Sequence, residues 1–385
     1  MSDIAYFDNA ATTFPKPDCV YDFADSFYRR RGGNIGRGGN ALAVAAGEVA
    51  SGAKDNLRKM YGCGASEVVF TASATDALNR ILLGLELVRG DAVYLTPFEH
   101  NAVTRPLNHL ALSMGVSLHV MPFDQVSLLP KWDELESAFR AAKPKLVVMT
   151  HASNVCGAVV PVERIARMAK EHGATVVLDM SQTMGLLPLD LASDLYDFVV
   201  FAGHKTLYGA FGVGGFICKS GAKLEPVLFG GNGINSVEQR MPENIVQMEE
   251  IGSQNTYAIA ALKASTDWIL EKGFEHIRNS EAANAKRLLE MLRGLDFITV
   301  VGDDMGCERI GVVSALLDTY APDEGEMVLG RCGVAVRSGI QCAPYAHRFL
   351  STLPAGTIRF SVSALTTEND FDMLENAFEQ IGEIL

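Results

Sequence analysis

Apolar runs alternate with amphipathic segments between residues 67 and 218. Most of the intervening segments, such as 102–114, 132–142 and 162–172, carry apolar residues at helical spacing. Strands that alternate with helices are typical of βαβ units. The pattern therefore predicts an α/β fold in which a mostly parallel, doubly wound sheet has helices on both faces. The runs that we expect to form its strands are EVVFTA, DAVYLTP, SLHVMPF, KLVVMTHA, ATVVLDMS, FVVFAGH and VGGFICK.

The chain beyond residue 218 has a different pattern. Residues 219–256 are rich in Gly, Asn, Pro and Gln and predict a long connection. We predict a large α/β domain over 21–256, a smaller α+β domain over 257–385, and an N-terminal segment, 1–20, that packs with the smaller domain. The elements predicted for the smaller domain are helices at 257–271, 275–293 and 367–385 and strands at GVVSALL, VAVRSG and TIRFSVS.

Composition narrows the class of function. The chain has 385 residues and a net charge of −13, and it lacks the basic, aromatic-rich runs of a nucleic-acid-binding surface. Its first residues, MSDIAYFDNAATT, lack the regions of a signal peptide, and no apolar run approaches the roughly 18 residues of a membrane span. Seven cysteines without a CxxC pair fit neither a disulfide framework nor a metal site. We therefore expect a cytoplasmic protein that acts on small molecules and binds neither nucleic acid nor membrane.

Polar residues follow the predicted strands where each strand ends. The turn TASATDALN, 71–79, follows the first strand and opens a helix whose free N–H groups can bind a phosphate. Because the carboxyl ends of parallel strands meet at one edge of a sheet, where ligands bind, these residues predict a ligand site. The polar residues that follow the later strands are His100, Asn154, Asp179 with Gln182, and Lys205.

Taken alone, most of these residues have an ordinary structural explanation. An aspartate at a strand end can cap a helix, and His100 or His204 can be a hydrogen-bonded structural histidine. Lys205 is harder to explain in this way, because burying an ammonium group costs free energy. An amine with a lowered pKa suits a covalent bond to a carbonyl group. Lys205, the phosphate-binding turn and Asp179 together predict pyridoxal phosphate, whose ring nitrogen the aspartate keeps protonated.

A set of segments carries a resemblance to a known family. They are YFDNAATTFPKP, ATDALN, EHNAV, SNVCGAVVPV, LDMSQTMG, GHKTLYGAFGVGGF and RSGIQCAP. In this order, over nearly the whole chain, they resemble the class V aminotransferase superfamily of fold-type I pyridoxal phosphate enzymes. Within it they are most similar to the cysteine desulfurase and selenocysteine lyase group. Each segment alone is a weak signal, but the ordered set is specific.

The resemblance implies how the cofactor ring is held. Lys205 matches the lysine that binds pyridoxal phosphate covalently. Asp179 matches the partner of the ring nitrogen, and Gln182 matches the donor to the phenolic oxygen. His100 matches the histidine that stacks on the ring and takes part in proton transfer. Asn154 matches the asparagine that lies near cofactor and substrate.

The resemblance also implies a phosphate site. The backbone of Ala74, together with Thr75 and His204, matches the residues that bind the phosphate. Ser253, in GSQNT, matches a residue that reaches the phosphate of the other subunit, which implies a homodimer with shared sites. One position departs from the family: two residues before the His-Lys pair, where Ser or Thr is common, this chain has Ala202. The loss of this hydroxyl is expected to weaken cofactor binding.

Three residues of the predicted smaller domain distinguish the possible reactions. VAVRSGIQCAP matches the desulfurase pattern of Arg, Gly and Cys on a short loop, which makes Arg337 a substrate-binding residue and Cys342 the nucleophile. Arg359 matches the position that binds the substrate carboxylate, a role that suits a guanidinium fork. Arg359 could instead be a surface strand residue and Cys342 a packed thiol. A loop with Gly and Pro is, however, a poor place to bury a cysteine for packing.

The resemblance implies a cysteine desulfurase that converts L-cysteine to L-alanine. The sulfur would pass to Cys342 as a persulfide and then to a sulfur-carrier protein, a tRNA-thiolation enzyme or a reductant. Selenocysteine lyase shares every motif and stays an alternative. An aminotransferase or another pyridoxal phosphate lyase of the superfamily would need Lys205 and Asp179 but not Cys342. A non-catalytic scaffolding role is a further alternative, against which the full catalytic set argues.

Overall fold

The computed structural model describes residues 4–35, 39–233 and 237–383. Its strands are β1 Ala5–Tyr6, β2 Glu67–Thr71, β3 Ala92–Leu95, β4 Ser117–Val120, β5 Pro144–Thr150, β6 Thr175–Asp179, β7 Phe198–Ala202, β8 Gly214–Cys218, β9 Ile298–Val300, β10 Val312–Leu317, β11 Val334–Ala335, β12 Arg337–Gly339 and β13 Thr357–Ser361. Its helices are α1 Asp18–Arg31, α2 Ala41–Met60, α3 Ala74–Gly84, α4 Asn101–Met114, α5 Trp132–Ala141, α6 Val162–Glu171, α7 Ile245–Glu249, α8 Thr256–Lys272, α9 Phe274–Arg293, α10 Pro322–Arg331, α11 Pro344–Phe349 and α12 Glu368–Gly382.

The larger sheet has seven strands in the order β2-β8-β7-β6-β5-β3-β4. Strand β8 runs antiparallel to both of its neighbours, β2 and β7, and the other neighbouring pairs are parallel. Each strand contains one of the apolar runs of the sequence, so the predicted mostly parallel sheet is confirmed. Strands β7 and β8 are buried along their whole length, as expected for a sheet that is covered on both faces.

The helices between these strands agree with the periodicity of the sequence. The segments predicted at 102–114, 132–142 and 162–172 form α4, α5 and α6. The stretch 219–256 was predicted as a connection, and its described residues before the start of α8 contain one short helix, α7. Two long helices, α1 and α2, were not predicted, and both pack against α8. The sequence assigned α8 to the smaller domain, and the division of the chain into domains stays a prediction.

A second, antiparallel sheet has the strand order β12-β13-β10-β9. The N-terminal segment joins this part of the chain, because β1 pairs in parallel with β11 and Asp8 bridges to Ser361. Behind the sheet, the fully buried rings of Phe7, Phe360 and Phe371 share a hydrophobic core with α9 and α12. This core is separate from the two that cover the faces of the larger sheet.

The loop after β5 connects the two sheets. The Ser314 hydroxyl on β10 donates to the Val155 carbonyl at 2.7 Å, and Arg309 Nη1 donates to the Cys156 carbonyl at 2.9 Å. These bonds hold the carboxyl edge of the larger sheet next to the second sheet. The candidate site forms between that edge and residues 337–359. Across residues 4–35, 39–233 and 237–383, none of the helices has the length and apolar character needed to cross a membrane.

Candidate active site

A cavity of about 250 Å³ lies at the carboxyl edge of the larger sheet. Its walls come from the ends of β5, β6 and β7, from the start of α3, and from the segment between β12 and β13. Ser253 does not line this cavity; it is exposed just before α8. The predicted site residues that line the cavity are Ala74, Thr75, His100, Asn154, Asp179, Gln182, His204, Lys205, Arg337, Cys342 and Arg359.

Lys205 lies three residues after β7 and is partly buried. Its carbonyl accepts hydrogen bonds from Tyr208 N at 2.7 Å and from the Thr13 hydroxyl at 2.9 Å, which fix the backbone of the turn. Burial lowers the pKa of the Lys205 amine; Asp179 opposes this shift and Arg359 adds to it. A lowered pKa makes the neutral form of the amine easier to reach, and the neutral amine can act as a nucleophile and as a base.

Asp179 ends β6 and is buried. Its Oδ1 accepts hydrogen bonds from Ser181 N at 2.9 Å and from Ser181 Oγ at 2.5 Å. Within the part of the chain that the structure describes, its hydrogen bonds all involve Oδ1, so Oδ2 can bind a cationic group of a ligand. Gln182, in the next turn, donates from Nε2 to the Ala10 carbonyl at 2.9 Å and keeps a second N–H on the same nitrogen.

Glu99 is a buried carboxyl near Asp179 that the sequence analysis missed, although it precedes His100 in EHNAV. Its Oε1 accepts hydrogen bonds from the Thr96 hydroxyl at 2.6 Å and from Thr150 N at 2.7 Å. Its Oε2 is buried and has no hydrogen-bond partner among the described residues. Burial raises the pKa of Glu99 to about 8, and the charge of Asp179 acts in the same direction. Glu99 is therefore a neutral acid at pH 7.

His100 caps the N-terminus of α4. Its Nδ1 accepts a hydrogen bond from Ala102 N at 3.0 Å, so the proton of the neutral ring lies on Nε2. Burial lowers the pKa of His100 to about 4, and the positive charges of Lys205 and Arg359 contribute. The ring that lines the cavity is therefore neutral and offers one N–H donor.

The start of α3 forms the wall of the cavity that suits a phosphate. Ser73 caps the helix by accepting a hydrogen bond from Asp76 N at 3.1 Å, and the N–H groups of Ala74 and Thr75 belong to the first turn, which has no preceding helical carbonyls. Opposite them, His204 has a buried Nδ1 that finds no hydrogen-bond partner in the described structure. Ala202 contributes only a methyl group, so the hydroxyl expected from the resemblance is missing.

Lys16 supports this wall from behind and was also missed. Its Nζ donates to the His204 carbonyl at 2.6 Å and to the Thr13 hydroxyl at 2.8 Å. Burial lowers the pKa of Lys16 to about 7, and burial likewise lowers the pKa of His204 to about 3. The sequence signal that could have identified Lys16 is its position in YFDNAATTFPKP, the first segment of the resemblance.

Arg359 is buried and already has a carboxylate partner. Its Nη2 donates to Asp8 Oδ1 at 2.6 Å, and its Nη1 donates to the Asn154 carbonyl at 3.0 Å. Its Nε is buried and lacks a partner within the described ranges. Burial lowers the pKa of Arg359, and Asp8 opposes this shift. Asp8 is thus the partner of a candidate site residue and was not predicted, although it lies in the segment YFDNAATTFPKP.

Cys342 lies on a strained turn. Ala343 N donates to the Ile340 carbonyl at 2.9 Å, and the two central residues, Gln341 and Cys342, have φ of 42° and 56°. Positive φ at both central positions is the pattern of a type I′ turn, which favours Gly and Asn. For other residues the left-handed region costs about 1–2 kcal/mol each. Contacts outside the turn must offset this cost.

Backbone contacts hold the turn from the side of the larger sheet. Asn154 Nδ2 donates to the Gln341 carbonyl at 2.8 Å, and Asn101 N donates to the Cys342 carbonyl at 2.7 Å. The thiol itself is exposed and lines the same cavity as Lys205. Arg337, also exposed, makes no hydrogen bond or ion pair through its guanidinium with any described residue and lines the cavity as well. Cys156 is fully buried in the hydrophobic core.

The polar groups of the cavity fit pyridoxal phosphate. The first turn of α3 and the buried His204 ring suit an anionic phosphate group. Oδ2 of Asp179 suits a protonated ring nitrogen, and the amine of Lys205, with its lowered pKa, suits the carbonyl carbon. Apart from Ser253, the residues predicted from the sequence to bind this cofactor therefore line one cavity with donors and acceptors of the right kind.

Comparisons with known proteins agree over the whole chain. A family model described as aminotransferase class V matches residues 5–374. A protein of Aeropyrum pernix named "Probable cysteine desulfurase" is 32% identical, over 98% of this chain and 94% of that protein. One of the same name from Halalkalibacterium halodurans is 30% identical, over 99% of this chain and 94% of that protein. An apo cysteine desulfurase structure from Thermococcus onnurineus is 27% identical with a TM-score of 0.90, and covers 100% of this chain and 96% of that one.

Proposed function

The chain belongs to the class V aminotransferase family, whose members depend on pyridoxal phosphate, and on that premise we propose that it is a cysteine desulfurase. It converts L-cysteine to L-alanine and transfers the sulfur to Cys342 as a persulfide. The observation that carries the proposal is the common cavity of a lysine, a buried arginine and an exposed cysteine: Lys205, Arg359 and Cys342. An aminotransferase of the same family needs the first two but has no use for the third.

The cofactor would be held by side chains whose chemistry matches each of its groups. The Lys205 amine would bind its carbonyl carbon, and Asp179 Oδ2 would keep its ring nitrogen protonated. Gln182 and His100 would contact the ring, and the first turn of α3 with Thr75 and His204 would bind the phosphate. When bound, pyridoxal phosphate supplies a ring that takes up the electron pair released at the substrate α-carbon.

The substrate is oriented by its carboxylate. Arg359 Nε is a donor without a partner among the described residues, and a substrate carboxylate bound there would lie beside the Asn154 backbone. Once the substrate amine has taken the place of Lys205 on the cofactor, the freed amine, whose pKa is lowered, would take the α-proton at Nζ. His100 offers a second proton position at Nε2, because its Nδ1 is occupied by Ala102 N.

Cys342 carries out the sulfur transfer. Its sulfur, as the thiolate, forms a bond to the substrate sulfur while the substrate carbon–sulfur bond breaks. The electron pair of the broken bond stays with the carbon fragment, which is protonated and leaves as alanine. The exposed guanidinium of Arg337 lines the same cavity.

The test uses the purified enzyme with its cofactor. With L-cysteine it is expected to release alanine, and without reductant the peptide that contains Cys342 is expected to gain the mass of one sulfur. Cys342→Ala should keep the cofactor absorbance but release almost no sulfide. Borohydride reduction and peptide mapping should place the pyridoxyl group on Lys205. Normal turnover by Cys342→Ala, or amino-group exchange with 2-oxo acids in place of sulfur release, would refute the proposal.

Selenocysteine is a second substrate that the same residues could bind. Because selenium is the better leaving group, selenium release needs Cys342 less than sulfur release does. A Cys342→Ala variant that is inert towards cysteine and active on selenocysteine would indicate selenocysteine lyase activity.

The acceptor of the persulfide is proposed to be a thiol of a carrier protein or of a reductant. Because Cys342 must be reduced to react, we infer a reducing compartment, such as the cytoplasm.

We also infer a homodimer. Large apolar side chains are exposed on the described chain, among them Phe211, Phe229 and Val237, which are 65%, 73% and 90% exposed. Exposed apolar residues of this kind are typical of an interface. Ser253, which lies outside the cavity of its own chain, would then be able to approach the phosphate site of the partner. Light scattering should report a dimer, and a fully active monomer would contradict this inference.

A further inference from the structure

The turn that carries Cys342 is also held by a second, buried set of side chains, which includes Gln341 and His347. We infer that Gln341 and His347 are positioning residues that hold Cys342 in its reactive place at the cavity. The inference rests on the proposed function, because it concerns the nucleophile of that reaction. Gln341 lines the cavity but is only 6% exposed, and its side-chain amide is bonded to other residues; His347 is fully buried and does not line the cavity.

The hydrogen bonds of this set allow only one arrangement. Gln341 Nε2 donates to the Thr357 carbonyl at 3.0 Å and to the Arg337 carbonyl at 3.3 Å, which identifies the nitrogen of the amide. Its Oε1 therefore accepts, at 2.7 Å, the proton carried by His347 Nε2. His347 Nδ1 then accepts from the Thr352 hydroxyl, also at 2.7 Å. Each donor and acceptor is used, so a change in one of them disturbs the others.

This set joins the turn to both neighbouring strands of the second sheet. Thr357 belongs to β13 and Arg337 to β12, and Gln341 lies between them in the chain. The Gln341 amide thus fixes the turn relative to the strand that carries Arg359. A turn with two residues of positive φ needs such contacts, because Gln and Cys do not favour it by themselves. Gln341 and His347 therefore set where the thiol stands relative to Lys205.

The alternative is that His347 only stabilises the fold. The two roles are separated by comparing L-cysteine with β-chloro-L-alanine, which loses chloride without attack by a thiolate. A misplaced Cys342 slows only the first substrate, whereas general damage slows both. Misplacing a reacting group by about 1 Å costs on the order of 100-fold in rate.

The experiment uses the holoenzyme and three variants of this set. His347→Ala and Gln341→Glu, which keeps the acceptor but loses the donor, are expected to lower kcat for cysteine by about 100-fold with KM unchanged. Turnover of β-chloroalanine and the cofactor absorbance should not change. His347→Gln, which restores a donor to Gln341, should recover much of the rate. In His347→Ala, iodoacetamide should alkylate Cys342, measured against the exposed Cys19 of the same molecule, faster than in the wild type, because the turn is no longer held in one place.

A matched control is His151→Ala, because His151 is also buried and bonded to a threonine, Thr183, at 2.9 Å. This variant should lower Tm without changing the ratio of kcat for cysteine to kcat for β-chloroalanine. Wild-type kcat for cysteine in His347→Ala, or an equal loss with both substrates, would overturn the inference. If the wild type turns over β-chloroalanine but forms no persulfide, the proposed function fails. In that case an unchanged alkylation rate of Cys342 in His347→Ala would still overturn the positioning role.

Discussion

Replacing Arg359 by alanine is expected to weaken capture of the substrate and to leave the cofactor bound. Arg359 is 3% exposed, and its Nη groups bond to Asp8 and to the Asn154 carbonyl, so the fork is held in place before the substrate arrives. The alanine side chain of this variant offers no hydrogen-bond donor to the substrate carboxylate. The variant also leaves Asp8 without its cation, which is expected to lower the stability of the protein.

The magnitude follows from the burial of the pair. Truncating one partner of a buried, hydrogen-bonded charge pair costs about 2–5 kcal/mol. Because the Nη groups of Arg359 also bond to Asp8 and the Asn154 carbonyl, we expect about 2–4 kcal/mol in kcat/KM for cysteine, which is roughly 30- to 700-fold. Steady-state kinetics of alanine release, at matched occupancy of the cofactor, measure this value.

Two further variants separate binding from stability. Asp8→Asn removes the negative charge that competes with the substrate carboxylate for Arg359 but keeps a side chain of similar size. KM for cysteine should therefore fall, and Tm should also fall. Arg337 is an exposed arginine of the same cavity and has no ion-pair partner in the described chain. The variant Arg337→Ala should therefore change KM less than Arg359→Ala does. An unchanged kcat/KM in Arg359→Ala would refute its role as the carboxylate-binding residue. A loss of cofactor absorbance in the same variant would show that the effect is indirect.

Three other changes have measurable outcomes. Asp179→Ala should keep the fold by circular dichroism and lose most activity, because an unprotonated ring nitrogen is a poor electron sink; full activity would contradict this role. Ala202→Ser should tighten binding of pyridoxal phosphate, measured by titration of the apoenzyme, and unchanged affinity would mean that a hydroxyl there does not reach the phosphate. In the folded state the pKa of Glu99 is raised to about 8. Its contribution to stability is therefore largest at a pH below the pKa that Glu99 has in the unfolded chain, and it is lost as the pH rises towards 8. The free energy of unfolding of the wild type should therefore fall more than that of Glu99→Gln between pH 5 and 8, and parallel curves would refute the assignment.

Much of the larger sheet could be predicted because its signal is local. The apolar runs are continuous where both faces of a strand are covered, and the helices between them carry clear periodicity. The helix α2 was missed for the opposite reason. Its buried residues are mostly alanines, such as Ala46, Ala50 and Ala53, which contrast little with the polar face. The position of β8 between β2 and β7 depends on pairing over long distances in the chain, which no local pattern records.

The candidate site divides in the same way. Lys205, Asp179 and Asn154 could be predicted to lie together, because the carboxyl ends of parallel strands meet at one edge of a sheet. The pair of Asp8 and Arg359 is separated by 351 positions, and the two residues come together because Asp8 forms a parallel bridge to Ser361 on β13, the strand that carries Arg359.

What the sequence by itself determined is the chemistry that is available: which strand ends carry an amine, a carboxylate and a thiol, and that a hydroxyl is absent at Ala202. What only the tertiary structure decided is the state of these groups. The lowered pKa of Lys205, the neutral form of Glu99 and the fixed turn of Cys342 all result from burial and from partners distant in the chain. The physical reason is that desolvation and hydrogen bonding depend on what surrounds a group in space, and the order of residues along the chain does not specify those surroundings.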